Sequence, residues 1–206
     1  MNGCPAADSI PRRGGYNGTM SATSTLTGHL LIAMPGLRDP EFDHAVTLIC
    51  QHNEDGALGL VINRPSEYRL QDLLRHMDLT DAREPLAQQT VLAGGPLQRE
   101  RGFVLHQSGG HWASSYSIDD QLSLTSSRDI LEAIASGQGP TRMLIALGYA
   151  GWEQGQLERE LRDNAWLTVE ADHELLFDIP LEQRWNAAAA RMGVDAQRLS
   201  PYAGNA

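Results

Sequence analysis

Between residues 28 and 62 the apolar positions fall into three short runs separated by turn residues. Gly28 to Met34 (GHLLIAM), apolar from Leu30 onward, predicts a buried strand, and Pro35-Gly36 ends it. Ala45 to Cys50 (AVTLIC) is rich in β-branched residues and predicts a second strand. Asn53-Glu54-Asp55-Gly56 supplies a hairpin turn, and Ala57 to Ile62 a third strand. Gly59 inside that strand marks a bulge or a close backbone approach. Connections this short predict an antiparallel meander, because a parallel crossover needs about a dozen residues.

The period then changes. Leu70, Leu73, Leu74 and Met77 are spaced i, i+3, i+4, i+7 and predict a short helix with one buried face. Residues 78–89 read as a polar loop, Val91 to Ala93 as a brief strand, and Gly102 to Gln107 as another. Ser108 to Leu124 reads as a long loop closed by a short strand. Ser126 to Ser136 carries a helical stripe of Ile130, Leu131 and Ile134, with Ser126 and Asp129 as a capping box and Gly137 as the stop. Arg142 to Tyr149 predicts a central strand, followed by a turn at Gly148, Gly151 and Gly155 and a helix over Gln156 to Asp163. Trp166 to Glu170 and Leu175 to Asp178 read as strands, the latter at an edge. Pro180 opens a last helix that runs to Met192. This irregular mixture predicts an α+β fold with a mainly antiparallel sheet.

Residues 1–21 are rich in Gly, Pro, Asn and Ser without periodicity and predict a disordered tail, with Met20 as an alternative start. Residues 22–206 then form a single domain.

The net charge is −10, and all sixteen basic residues are Arg. That field opposes a polyanionic partner, so direct nucleic-acid binding is disfavoured. No signal-peptide core and no apolar run long enough to span a membrane is present, so the expectation is a cytoplasmic protein without membrane partners. Cys50 lies in a strand and reads as a buried structural thiol.

The seven histidines make no HxH or HExxH pattern, and there is no CxxC, so neither a metal nor any other cofactor is expected. The lack of lysine rules out a Walker-type phosphate loop. There is no GxSxG elbow. The polar residues at the strand ends remain. Asp39 lies in one connecting turn, His52 at the next, and Asn63-Arg64 at the end of the third strand. An amide beside a guanidinium suits a carboxylate or phosphate. With equal weight, Arg64 pairs with Asp39 or Glu67 and Asn63 caps a turn.

The stretch Gly28 to Pro65, then GGP at Gly94–Pro96, GFVLH at Gly102–His106 and LGYAGWEQGQLERELRDNAWL at Leu147–Leu167, resemble the YqgE/AlgH family of bacterial proteins over residues 24–204. The resemblance implies one α+β domain whose bifurcated antiparallel sheet curls into a pseudo-barrel flanked by helices. It implies no established catalytic activity or cofactor. The family name comes from a proposed role in regulating alginate synthesis, usually described as transcriptional.

The expectation for function is a cytoplasmic regulatory module that binds a small ligand or a protein partner in a polar cleft. Its candidate binding residues are Asp39, His52, Asn63, Arg64, His106, Tyr149 and Trp152. The alternatives are a hydrolase or transferase using His52, His106 or Cys50, and, against the charge, a transcriptional regulator that binds DNA directly.

Overall fold

Strands β1 (His29–Ala33), β2 (Val46–Asn53) and β3 (Gly56–Val61) form the antiparallel meander expected from the three apolar runs. These come from a computed structural model that describes residues 25–37, 39–80 and 82–193. The expectations for the tail at 1–21, for Met20 as a start, and for residues 194–206 fall outside the described residues.

After β3 come β4 (Pro65–Arg69), α1 (Leu70–His76), β5 (Thr90–Ala93) and the long β6 (Leu97–Gln107). Then β7 (Ser115–Ser117), β8 (Leu122–Thr125) and α2 (Arg128–Ala135) lead to β9 (Met143–Glu153). The chain continues through α3 (Gln156–Arg162) and β10 (Trp166–Glu170) to α4 (Arg184–Arg191). The sheet order is β10-β1-β2-β3-β9-β6-β8-β7, with β5 adding to β9 in parallel and β4 to β5.

β9 is where the sheet divides. Its first half, Met143–Leu147, lies between β5 and β6, while its second half, Ala150–Glu153, pairs with β3. Gly148 stands at the fork with φ +75. Ala146 and Tyr149, three apart, face the same core, whereas strict alternation would place them on opposite faces. A bulge does this. The run expected to turn at Gly148 and Gly151 therefore stays in the strand, and only Gly155, with φ +70, opens a helix.

The bifurcated sheet curls into a half-barrel with three apolar layers. Its concave side holds Leu30, Ile32, Leu48, Leu60 and Leu105, closed by Leu175, Leu176 and Trp185. The opposite face of the meander packs Leu31, Ile49 and Val61 against Leu157 of α3, with Trp152 and Trp166. The opposite face of the other half packs Val104, Met143 and Ile145 against α1 and α2. Each fully buried Leu or Ile contributes about 1.5–3 kcal/mol, so β1, β2 and β3 are held from both sides.

Three local expectations change. The α2 cap is Ser127, in extended geometry, and not Ser126. Asp129 accepts from the Ser127 hydroxyl and from the amides of Ala113 and Ile130, so it fastens the preceding loop as well as the helix. Ser108–Leu124 contains a strand pair, β7 with β8, where one short strand was expected. Leu175–Asp178 is no strand: Glu174–Asp178 is a wide helical turn closed by Ile179 N–H donating to the Glu174 carbonyl at 3.0 Å. Asp172 Oδ1 accepts from Leu175 N–H at 2.8 Å, and the turn directs both Leu175 and Leu176 into the core, which a strand cannot do with neighbours.

Candidate functional site

The residues singled out from the sequence do not gather in one place. Asn63 uses its whole amide on backbone. Its Oδ1 accepts from Val46 N–H at 2.8 Å and its Nδ2 donates to the His44 carbonyl at 2.8 Å. Arg64 donates to the carbonyls of Glu41 and Asp43, and pairs with neither Asp39 nor Glu67. Asp39 accepts from Glu41 N–H at 2.9 Å and caps the 3₁₀ turn at Pro40–Phe42. These three residues therefore shape and hold the 39–44 turn. Phe42 of that turn sits against Trp166 and Trp152, with ring centroids 5.4 and 6.2 Å away.

His52 lies at the other end of the β2–β3 hairpin, roughly 20 Å of strand from Asn63. Its Nδ1 accepts from Leu26 N–H at 3.1 Å, so the proton is on Nε2, which donates to Glu158 Oε1 at 2.9 Å. The Glu158 carboxyl is held below its ordinary pKa, first by its own backbone amide and, against partial burial, by the His52 contact. Both imidazole nitrogens are thus committed, tying β2 to α3.

His106 is buried on the helix-covered face. Its Nδ1 donates to the Gln107 carbonyl at 2.8 Å, leaving Nε2 to accept the Thr125 hydroxyl at 2.9 Å, and Ser115 donates to Thr125 Oγ1 at 2.7 Å. Burial pushes its pKa down. Trp112 packs edge-on against it, with centroids 4.8 Å apart. Trp152 is in the core, its indole N–H donating to Glu160 Oε2 at 2.9 Å. Trp166 shares that oxygen at 2.8 Å.

Tyr149 is the exception. It lines a cavity of about 260 Å³ at one end of the concave face. The cavity forms where strands lose register. In β2 the pairing with β3 slips between Ile49 and Gln51, so Cys50 and Gln51 both reach the cavity. In β9 the Gly148 bulge brings Tyr149 in, and β6 slips between Leu97 and Gly102. Three pairs of residues two apart, in β6 and in or next to β7 and β8, complete the wall: Arg101 with Phe103, Ser114 with Tyr116, and Leu124 with Ser126. That i, i+2 spacing was visible in the sequence. It lacked the fold that brings β6, β7 and β8 to one place.

The chemistry of the cavity is specific. Its floor, Leu58, Phe103 and Leu124, is apolar. The Cys50 thiol is fully buried, and burial pushes it up to about 12, so it stays protonated. Among the described residues the hydroxyls of Ser114, Tyr116, Ser126 and Tyr149 have no protein partner. Arg101 is the cation at the rim. It lies 5.2 Å from the Phe103 ring centroid, hydrogen-bonds Gln98 Oε1 at 3.4 Å, and has no carboxylate partner among the described residues. Among the described residues no carboxylate lines the cavity.

A larger groove of about 450 Å³ runs between residues 137–143 and the 177–178 turn. Its charges, Arg142 and Asp178, satisfy each other at 3.2 Å, and the Gln89 amide is spent on the Met143 carbonyl at 3.0 Å. Its two charges are thus paired with each other, whereas the smaller cavity holds a guanidinium without a carboxylate partner and four hydroxyls without protein partners among the described residues. Among the described residues there is no cluster of three metal-ligating side chains, and no helix is long and apolar enough to cross a membrane.

The model of the AlgH-like family matches residues 30–197. A UPF0301 protein of Thioalkalivibrio sulfidiphilus is 54% identical over 188 residues, covering 91% of this chain and all of the relative. A UPF0301 protein of Stenotrophomonas maltophilia is 53% identical over 182 residues, 88% of this chain and 97% of the relative. The solution structure of the AlgH protein from Pseudomonas aeruginosa is similar, with a TM-score of 0.74 and 48% identity, covering 92% of this chain and all of that one. A Corynebacterium diphtheriae protein shares the fold, with a TM-score of 0.65 at 19% identity. The bifurcated half-barrel, the matched family model and the near full-length relatives agree: this chain belongs to the AlgH-like, UPF0301 family.

Proposed function

We propose that the protein is a cytoplasmic regulatory module that binds a small ligand in the cavity beneath Tyr149. The observation that carries this reading is one cavity lined, among the described residues, by hydroxyls without protein partners and by a rim guanidinium without a carboxylate partner. Polar groups held around an apolar floor are what orients a small molecule in a pocket. The free, buried Cys50 suits a reducing compartment.

The catalytic alternative has less support. His52 and His106 have both ring nitrogens engaged, and the Cys50 thiol is protonated at neutral pH. A net charge of −10 opposes direct DNA binding.

A thermal-shift screen of the full chain against metabolites tests the reading. A ligand at a hundredfold its dissociation constant raises stability by roughly 2.7 kcal/mol. The shift disappears in Tyr149→Ala and persists in Arg64→Ala. A shift that Arg64→Ala removes and Tyr149→Ala leaves intact overturns it.

A further inference from the structure

Resting on that reading of the cavity, we infer that its ligand is a small planar aromatic carboxylate, one ring system bearing one carboxylate. Charge comes first. Among the described residues the one ionised group at the cavity is the Arg101 guanidinium, on a chain of net charge −10 where Arg99, two residues away, is already paired with Glu41 at 2.9 Å. A cation without a carboxylate partner, beside a wall without carboxylates, selects an anion. A single guanidinium matches a carboxylate, which it meets through two parallel N–H···O bonds. A phosphate or pyrophosphate calls for more donors than one Arg provides, and no glycine-rich cradle or second basic side chain lines the cavity.

Shape comes second. Arg101 and Phe103 occupy alternate positions of β6, so guanidinium and ring share a face. Phe103 and Tyr149 meet edge to face, with centroids 5.9 Å apart and planes at 73°. This leaves a corner of aromatic surface directly below the cation. A flat ring placed there extends the offset or edge-to-face packing that aromatic groups favour, with its carboxylate toward Arg101. Size comes third. About 260 Å³ is below the usual range for drug-sized ligands and suits one ring system better than a nucleotide. The free hydroxyls of Tyr116, Ser114 and Ser126 are available to hydroxyl or amine substituents on the ring.

The test is calorimetric titration of the full chain with benzoate, 4-hydroxybenzoate and indole-3-carboxylate. Benzamide serves as the ring without charge, and inorganic phosphate as the charge without ring. The expected result is saturable binding of at least one carboxylate that Arg101→Gln weakens roughly ten- to a hundredfold, with partial recovery in Arg101→Lys. Benzamide and phosphate bind far more weakly. Benzamide binding as well as benzoate overturns the charge assignment. Phosphate binding as well as benzoate, lost in Arg101→Gln, overturns the planar class. No binding of any carboxylate up to the low millimolar range overturns the inference as a whole. The cavity reading fails separately: it falls if metabolite hits in the thermal screen are indifferent to Tyr149→Ala.

Discussion

Gly148 packs against Gly95 so closely that a Cβ on Gly148 would stand 2.6 Å from the Gly95 carbonyl oxygen. The same Gly148 has φ +75, and its bulge turns Tyr149 toward the cavity. One glycine thus provides both the fork of the sheet and the placement of the aromatic ring.

Gly148→Ala meets two costs, a left-handed backbone that a Cβ disfavours by about 1–2 kcal/mol and contact with β6 backbone that must move. The expected loss is roughly 2–4 kcal/mol by urea denaturation, together with loss of any ligand that Tyr149 supports. Gly102→Ala is the control. A Cβ there meets nothing within 4 Å, so its effect should stay within about 0.5 kcal/mol.

The Asn63–Arg64 pair is predicted to act on stability. Asn63→Ala leaves the Val46 amide and the His44 carbonyl without their partner, at about 1–3 kcal/mol. Arg64→Ala releases the 39–44 turn at a smaller cost. Neither change alters ligand affinity at the cavity, which calorimetry on the folded variants checks.

His106 makes stability fall in mild acid. Burial lowers its pKa in the folded state below the ordinary 6.5, so from neutral pH downward the unfolded chain takes up the proton first. Stability therefore rises with pH through this window and is lost as pH drops below about 6.5. Protonating Nε2 also removes the acceptor for Thr125. Denaturation midpoints at pH 7.5 and 5.5 should separate more in the wild type than in His106→Asn.

Cys50 works at the other end of the scale. Its folded pKa of about 12 lies above the unfolded value near 9, so the folded state keeps a proton that the unfolded chain releases. Its contribution is complete below pH 9 and declines above it. The thiol should resist iodoacetamide at pH 8 in the native protein and react on unfolding. A Cys4→Ser background isolates it. Rapid labelling in the native state would contradict the placement.

The meander was legible because its signals are local. The apolar run at Leu30–Ala33 and the β-branched run at Val46–Cys50 read directly as strands, and both are buried. Gly59 reads as a bulge or a close approach, and a Cβ there would meet Thr47 Cγ2 at 2.8 Å and the Trp152 ring at 3.2 Å. Gly148 reads as a turn in the sequence because a strand glycine and a turn glycine look alike along the chain. Only the pairing of β9 with β3 on one side and β5 on the other separates them. Leu175–Asp178 is ambiguous for a similar reason, since three adjacent apolar residues, Leu175 to Phe177, fit a buried strand or a wide helical turn equally well. The cavity was the least legible part. Its wall draws on residues from Cys50 to Tyr149, and alternation along β6, β7 and β8 says which face each residue shares but not which strands meet.

The most direct test of the central claim is protein-observed NMR of the isotope-labelled chain against a library of small molecules. The account predicts that bound compounds perturb the amides of Leu58, Phe103, Tyr116 and Tyr149 together, with no cluster at Asn63–Arg64. Perturbations centred on the 39–44 turn, or on the larger groove at Arg142 and Asp178, would contradict it.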